Sequence, residues 1–200
     1  MLRRVLVLLA VTLALAGCGD DDPVTTERAV PGDTVVKRIE AAMREAATGQ
    51  AKRHDGSADY FWDLREPVRV LVLNYGGRRE ARRFGDTVYE RAVGGFWFRY
   101  TSKDKTTLVP ELNYFKGREV TEVSRGAEVL QYVVKVPARV LEGGFEGPDD
   151  LNEVEVTIFM NEDGLPTRTR VQGDGLAGES FSKWGEPVSI TRPEKSVKAD

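Results

Sequence analysis

Few residues in this chain have types and spacings that could do chemistry. It holds one cysteine, Cys18, and one histidine, His54. A lone cysteine makes no intrachain disulfide, zinc knuckle or iron–sulfur site, and a lone histidine excludes every motif built on two. His54 and Asp55 are adjacent, and neighbours in an extended segment point to opposite faces, so they do not form a dyad. No serine sits in G-x-S-x-G. Gly173-Asp-Gly-Leu-Ala-Gly178 matches the letters of a dinucleotide fingerprint. That motif needs a strand before it and a helix after it inside a βαβ unit, and the Glu179-Ser-Phe-Ser that follows, in antiparallel surroundings, reads as a glycine-rich loop instead. The 32 acidic residues offer many carboxylate pairs, but a glycosidase pair is defined by a separation of about 5 to 9.5 Å that lies in space, not in sequence. Asp20, Asp21 and Asp22 are consecutive and lack the spacing and glycine of a calcium loop. These residues point to a non-enzyme with no metal and no cofactor.

Composition agrees. The 200 residues include 29 Lys and Arg against 32 Asp and Glu, a net charge of -3, with 40% hydrophobic and 30% charged residues. Mean hydropathy is -0.37. This describes a soluble domain, neither a polytopic membrane protein nor a disordered chain. The mild acidity argues against nucleic acid as a partner.

The N-terminus is different. Arg3 and Arg4 precede 12 residues, Val5 to Ala16, interrupted only by Thr12. As a helix this run is about 18 Å long, short of a bilayer core of about 30 Å, and with its basic flank it reads as a secretory signal peptide. Directly after it, Leu15-Ala16-Gly17-Cys18 resembles the bacterial lipobox. The resemblance implies that Cys18 is the first mature residue and carries a thioether-linked diacylglyceryl group. Acyl chains bind a bilayer with about 0.8 kcal/mol per buried CH₂, so two or more make a stable anchor. An ordinary signal peptide with a spectator cysteine is the alternative. Residues 1–17 are thus the signal, 18–32 a polar, turn-rich tether, 33–193 the domain and 194–200 a tail. Cleavage before Cys18 leaves 183 residues, enough for one core, and removes two arginines and no acid. The expected location is extracytoplasmic, on the cell membrane, out of reach of cytosolic nucleotides.

The elements of the domain follow from periodicity. Asp33 is a candidate N-cap, Val35, Ile39, Ala42, Met43 and Ala46 recur at helical spacing, and Gly49 is a candidate C-cap, which predicts an amphipathic helix over 34–48. From Gln50 the period becomes two. Val68 to Tyr75, Arg78 to Phe84, Thr87 to Ala92 and Phe96 to Tyr100 are strands separated by Gly76-Gly77, Gly85-Asp86 and Gly94-Gly95. Residues 102–116 read as irregular or partly helical, and 138–143 as a helical turn. Further strands cover 128–136, with Leu130, Tyr132, Val134 and Val136 on one face, and 153–160, with Val154, Val156, Ile158 and Met160 on one face. The loop Asn161–Pro166 turns into 167–172, with Arg168, Arg170 and Gln172 outward, and a last strand lies near 181–190. About nine strands against one certain helix predict an α+β fold, an antiparallel sheet with a helix on one face.

This order, ending in Trp184-Gly-Glu-Pro-Val-Ser-Ile190, is similar to actinobacterial cell-envelope lipoproteins of the LppX/LprG type, which share the LolA-like fold. The residues that carry the similarity are Gly85-Asp-Thr-Val-Tyr89, Gly95-Phe-Trp-Phe-Arg-Tyr100, Asn161-Glu-Asp-Gly-Leu-Pro166 and Trp184-Gly-Glu-Pro-Val188. Where such proteins carry a Thr-Thr-His-Tyr-like stretch, this chain has Val129-Leu-Gln-Tyr132. The resemblance implies a curved antiparallel half-barrel with helices on its concave face, an apolar cavity between, and a role in holding or ferrying a lipid or acylated ligand. An apolar slot suits an acyl chain without catalytic groups.

The residues expected to line that cavity are Val70, Val72, Phe96, Phe98, Tyr100, Leu130, Tyr132, Val134, Val154, Val156 and Ile158. The same residues would make an ordinary core if the helix filled the space. Arg78, Arg79, Arg82 and Arg83 form a basic cluster, read as a solvated edge that resists strand addition or as a contact for an anionic headgroup or cell-wall polymer. The alternative function is an extracytoplasmic regulatory module that binds a membrane partner protein and carries no lipid. It predicts a small cavity and a large exposed patch.

Overall fold

The computed structural model describes residues 24–103, 108–137, 153–172 and 178–199. In chain order the elements are β1 (Thr25–Pro31), α1 (Gly32–Ala46), β2 (Thr48–Arg53), β3 (Ala58–Asp63), β4 (Arg69–Asn74), β5 (Arg79–Phe84), β6 (Thr87–Ala92), β7 (Phe98–Thr101), α2 (Leu112–Phe115), β8 (Glu119–Arg125), β9 (Glu128–Pro137), β10 (Glu153–Met160), β11 (Pro166–Val171), β12 (Glu179–Ser182) and β13 (Val197–Lys198). The strands form one curved, unclosed sheet in the order β1-β8-β9-β10-β11-β12-β2-β3-β4-β5-β6-β7-β13. Every pairing is antiparallel except β13 on β7. The expected α+β architecture is present. Cys18 and its lipobox lie outside the described residues, as does the helical turn expected over 138–143. No helix among the described residues is long and apolar enough to cross a membrane.

Alternation sets the inner face. Val136, Val134 and Tyr132 of β9 stand opposite Val154, Val156 and Ile158 of β10, and Val156 and Ile158 stand opposite Val171 and Thr169 of β11. Helix α1 lays Val35, Val36, Ile39 and Met43 onto this face, joined by Phe115 of α2 and Trp62 of β3. Burying such side chains stabilises by roughly 1.5–3 kcal/mol each. Trp62 is fully buried and meets Trp184 and Phe181 edge-on, at 5.3 and 6.5 Å between ring centres. The Trp184 indole N–H donates to the Pro166 carbonyl at 3.0 Å. Arg168, Arg170 and Gln172 point outward as expected.

Several expectations change. Thr25–Pro31, expected within the tether, is a strand, because its backbone pairs with β8 from Thr25↔Arg125 to Pro31↔Glu119. The helix starts at Gly32, with Pro31 in the capping position and no side-chain cap. Asp33 instead accepts a hydrogen bond from the Gly117 N–H across the gap to the end of α2. Gly32 is required there by contact, since a Cβ would lie 1.9 Å from the Phe115 carbonyl oxygen. Gly49 does not cap the helix. It lies in β2, where a Cβ would stand 2.5 Å from the Trp62 ring and 3.0 Å from Trp184. The expected tail is docked through Val197 N–H to Trp97 O and Ala199 N–H to Arg99 O. The strand expected near 181–190 is β12, which ends at Ser182, and the chain beyond crosses the opposite face, where Ile190 packs on Phe84 and Tyr89.

The arginine cluster is not an edge. β5 lies between β4 and β6. Arg82 and Arg91 both pair with Glu80 and lie over the Trp97 ring at 4.9 and 4.5 Å from its centre, and Arg79 pairs with Glu90. Arg82 also donates to the Thr191 carbonyl, which ties the C-terminal segment down.

Candidate ligand pocket

A pocket of about 570 Å³ opens between α1, the start of β4, the β5–β6 turn and the segment 108–116. Its apolar lining is Met43, Leu64, Val68, Val70, Leu108, Val109 and Leu112. Its charged lining is balanced, with Glu40, Glu66 and Asp86 against Arg44, Arg83 and Lys116. The volume falls in the range of about 300–1,000 Å³ usual for small-molecule sites. An apolar interior with charges around it suits a ligand with an apolar body and a polar end.

Local chemistry holds the walls. Val68 and Val70 face inward by alternation at the start of β4, while Met43 lies on the last turn of the buried stripe of α1. The turn carrying Leu64 and Glu66 is pinned by Asp63, fully buried, which pairs with Arg65 at 2.8 Å and with Arg69. The hydrogen bonds from Arg65, with the charge of Arg69 beyond them, hold the Asp63 carboxyl below the usual range against the opposing effect of burial. Arg83 donates to the Gly85 carbonyl at 2.7 Å and to the Ser102 carbonyl at 3.1 Å, so its guanidinium is fixed in the wall.

Of the residues expected to line a cavity, only Val70 lines this pocket. Tyr132, Val134, Val156 and Ile158 are buried in the core, with Val72 and Val154 packed against it, under the α1 stripe and Phe115. Leu130 sits at a bulge where the β8–β9 register shifts between Val123 and Ser124, and Val129 takes its place against the core. Phe96, Phe98 and Tyr100 are exposed, at 83%, 50% and 37%. The residues that sequence reasoning missed come mainly from segments without period, Leu64 and 108–116. Met43 was legible as part of the helical stripe.

A second cluster was not foreseen. Glu111 and Glu179 are buried on either side of Thr169, whose hydroxyl donates to Glu111 Oε1 at 2.8 Å and accepts the Glu179 N–H at 2.8 Å. Glu111 Oε2 and Glu179 Oε2 have no hydrogen-bond partner among the described residues. Burial pushes the Glu179 carboxyl up to about 8, with the charge of Glu111 adding to the rise and Arg53 opposing it. Burial also raises Glu111. His54 lies beside them, its Nε2 3.0 Å from Ser180 Oγ and its backbone N–H on the Gly178 carbonyl. The only signal in the sequence was Glu179 sharing a strand face with Phe181. Both residues are almost fully enclosed. Glu122 is buried too, and it is neutralised by Arg28 of β1 at 2.6 Å and Arg38 of α1 at 2.9 Å. No group of three potential metal ligands occurs among the described residues.

A search of known protein families finds no match to this chain, and no curated protein matches it either.

Proposed function

We propose that this chain is a membrane-anchored envelope lipoprotein of the LolA-like kind, held by acyl chains on Cys18, whose pocket binds a lipid or other acylated ligand. The observation that carries the reading is the pocket of about 570 Å³ with its apolar interior, beside the buried core. An acyl chain would lie against Val68, Val70, Leu108 and Leu112. Its polar end would meet Arg44, Arg83 or Lys116 at the mouth. The cell membrane is its first partner, and an envelope protein that gives or receives the ligand is its second.

The test uses the chain from Gly19, which retains every described element. Native mass spectra before and after organic extraction should show an acylated lipid that extraction removes. The extracted protein should then bind cis-parinaric acid, and Leu108→Trp, which fills the pocket, should weaken that binding at least tenfold. A clean mass together with no probe binding would sink the carrier reading and leave the partner-binding module.

A further inference from the structure

The inner face of the sheet does not end at the pocket. Register carries one row from Trp62 through Val70, Arg83 and Val88 to Tyr100, and the next from Tyr60 through Val72, Ala81 and Glu90 to Phe98 and Val197. Helix α1 covers the first part of these rows. At β7 nothing among the described residues covers them, and Phe98, Tyr100 and Val197 are exposed. The β6–β7 turn continues this apolar surface past the end of the sheet with Val93 at 74% and Phe96 at 83% exposed. Tyr75 projects at the same end, because the Val93 N–H bonds to the Arg78 carbonyl in the neighbouring turn.

The charge around this surface is segregated. Residues 78–103 carry seven Lys and Arg against three Asp and Glu, a balance of +4 in a chain whose total is -3. Arg78 is exposed in the neighbouring turn, and Arg99 and Lys198 are exposed side by side on the other face of the same β7–β13 edge. Aromatic side chains favour the boundary between hydrocarbon and water, and cations close to a bilayer are attracted by anionic headgroups, at about 1 kcal/mol each. A protein partner would also cover an apolar strip, but neither a projecting hairpin tip nor an excess of cations on both faces of one sheet edge is what an ordinary protein interface requires.

We propose that the β6–β7 hairpin, with Val93, Phe96, Phe98 and Tyr100, docks onto an anionic lipid bilayer. The hairpin enters edge-on, so that its aromatic residues on one face reach the headgroup level while Arg99 and Lys198 on the other face, with Arg78 in the neighbouring turn, meet the phosphates. The row from Tyr100 through Val88 and Arg83 then leads from the bilayer to the pocket wall. This deepens the carrier reading by naming the surface from which an acyl ligand would come, and the two are tested separately.

Sedimentation with vesicles decides it, again with the chain from Gly19 and so without the Cys18 anchor. Vesicles of phosphatidylglycerol and phosphatidylcholine should bind the protein at least tenfold more tightly than phosphatidylcholine alone, and 0.5 M salt should weaken binding. The double variant Phe96→Ser with Phe98→Ser should lose at least tenfold in vesicle binding while still binding cis-parinaric acid. Leu108→Trp should do the reverse. Because the serine variant could act through the fold, Phe96→Trp supplies a second measurement. It should show a blue-shifted emission with vesicles and quenching by brominated lipid beyond that of the native tryptophans. No sedimentation, equal binding by the serine variant, or an unquenched Trp at position 96 would each overturn the proposal. So would capture of a purified envelope protein through this hairpin with no vesicle binding.

Discussion

Two regions of the same sheet face meet opposite fates. Over β8 to β12 and β2 to β3 the face is buried, with α1, Phe115 and Trp62 closing on Val134, Val136, Val156 and Ile158. From β4 to β7 the same alternation continues, but the cover thins to the pocket and then stops, leaving Phe98 and Tyr100 in water. The residue types do not separate the two regions, since both offer valines and aromatics at period two. Coverage does. A helix of 15 residues is about 22 Å long, whereas thirteen strands about 4.8 Å apart span on the order of 60 Å.

The comparison breaks most readily where the cover is complete. Trp62→Ala should destabilise by about 3–5 kcal/mol, since it empties a fully enclosed volume between Phe181 and Trp184. Urea unfolding would check this. A loss under 1 kcal/mol would mean that the covered region is as loosely packed as the open one.

The buried carboxyls give a second contrast, in pH rather than in packing. Glu179 binds its proton more tightly in the folded chain than in the unfolded one, with a folded value of about 8. Stability should therefore be greatest below the unfolded carboxylate value, and fall as pH rises toward 8 with a slope approaching about 1.4 kcal/mol per pH unit. Glu179→Gln should flatten that slope, measured by unfolding at a series of pH values from 4 to 9. An unchanged slope would assign the proton elsewhere. Asp63 works the other way. Its folded value is depressed, so its contribution is present above the unfolded carboxylate range and is lost as pH falls through the folded one. Asp63→Asn should cost about 2 kcal/mol at pH 7 and much less in acid, and it should weaken cis-parinaric acid binding by loosening the turn at Leu64 and Glu66.

The smallest effect belongs to the open region. Phe98→Ser should change stability by no more than about 0.5 kcal/mol, because the ring already stands in water. A loss above 2 kcal/mol would mean that the ring is covered in solution and that the uncovered face does not exist as described.

Periodicity and glycine punctuation were enough to find β4 to β6, β9, β10 and β11, and Asn161–Pro166 turns as expected, with Gly164 in the left-handed region at φ 71°. β1 and β8 were missed because TTERAVP and EVTEVSR mix charges into both faces. The buried Glu122 is tolerated because Arg28 and Arg38 both pair with it. β13 has two residues and no pattern of its own. The pocket was legible in Val70 and Met43 alone, since Leu64, Leu108 and Leu112 come from segments without period.

By itself the sequence determined the kind and order of most elements and the two faces of the strands with a clear period. Those depend on backbone preference and on alternation, which are local. It also determined that one short amphipathic helix had to serve a long antiparallel sheet. Which apolar residues became core, pocket wall or exposed strip was decided only by the tertiary structure. That choice depends on where α1 lands and how far it reaches, and the landing is fixed by distant contacts such as Gly32 against Phe115 and Arg38 on Glu122.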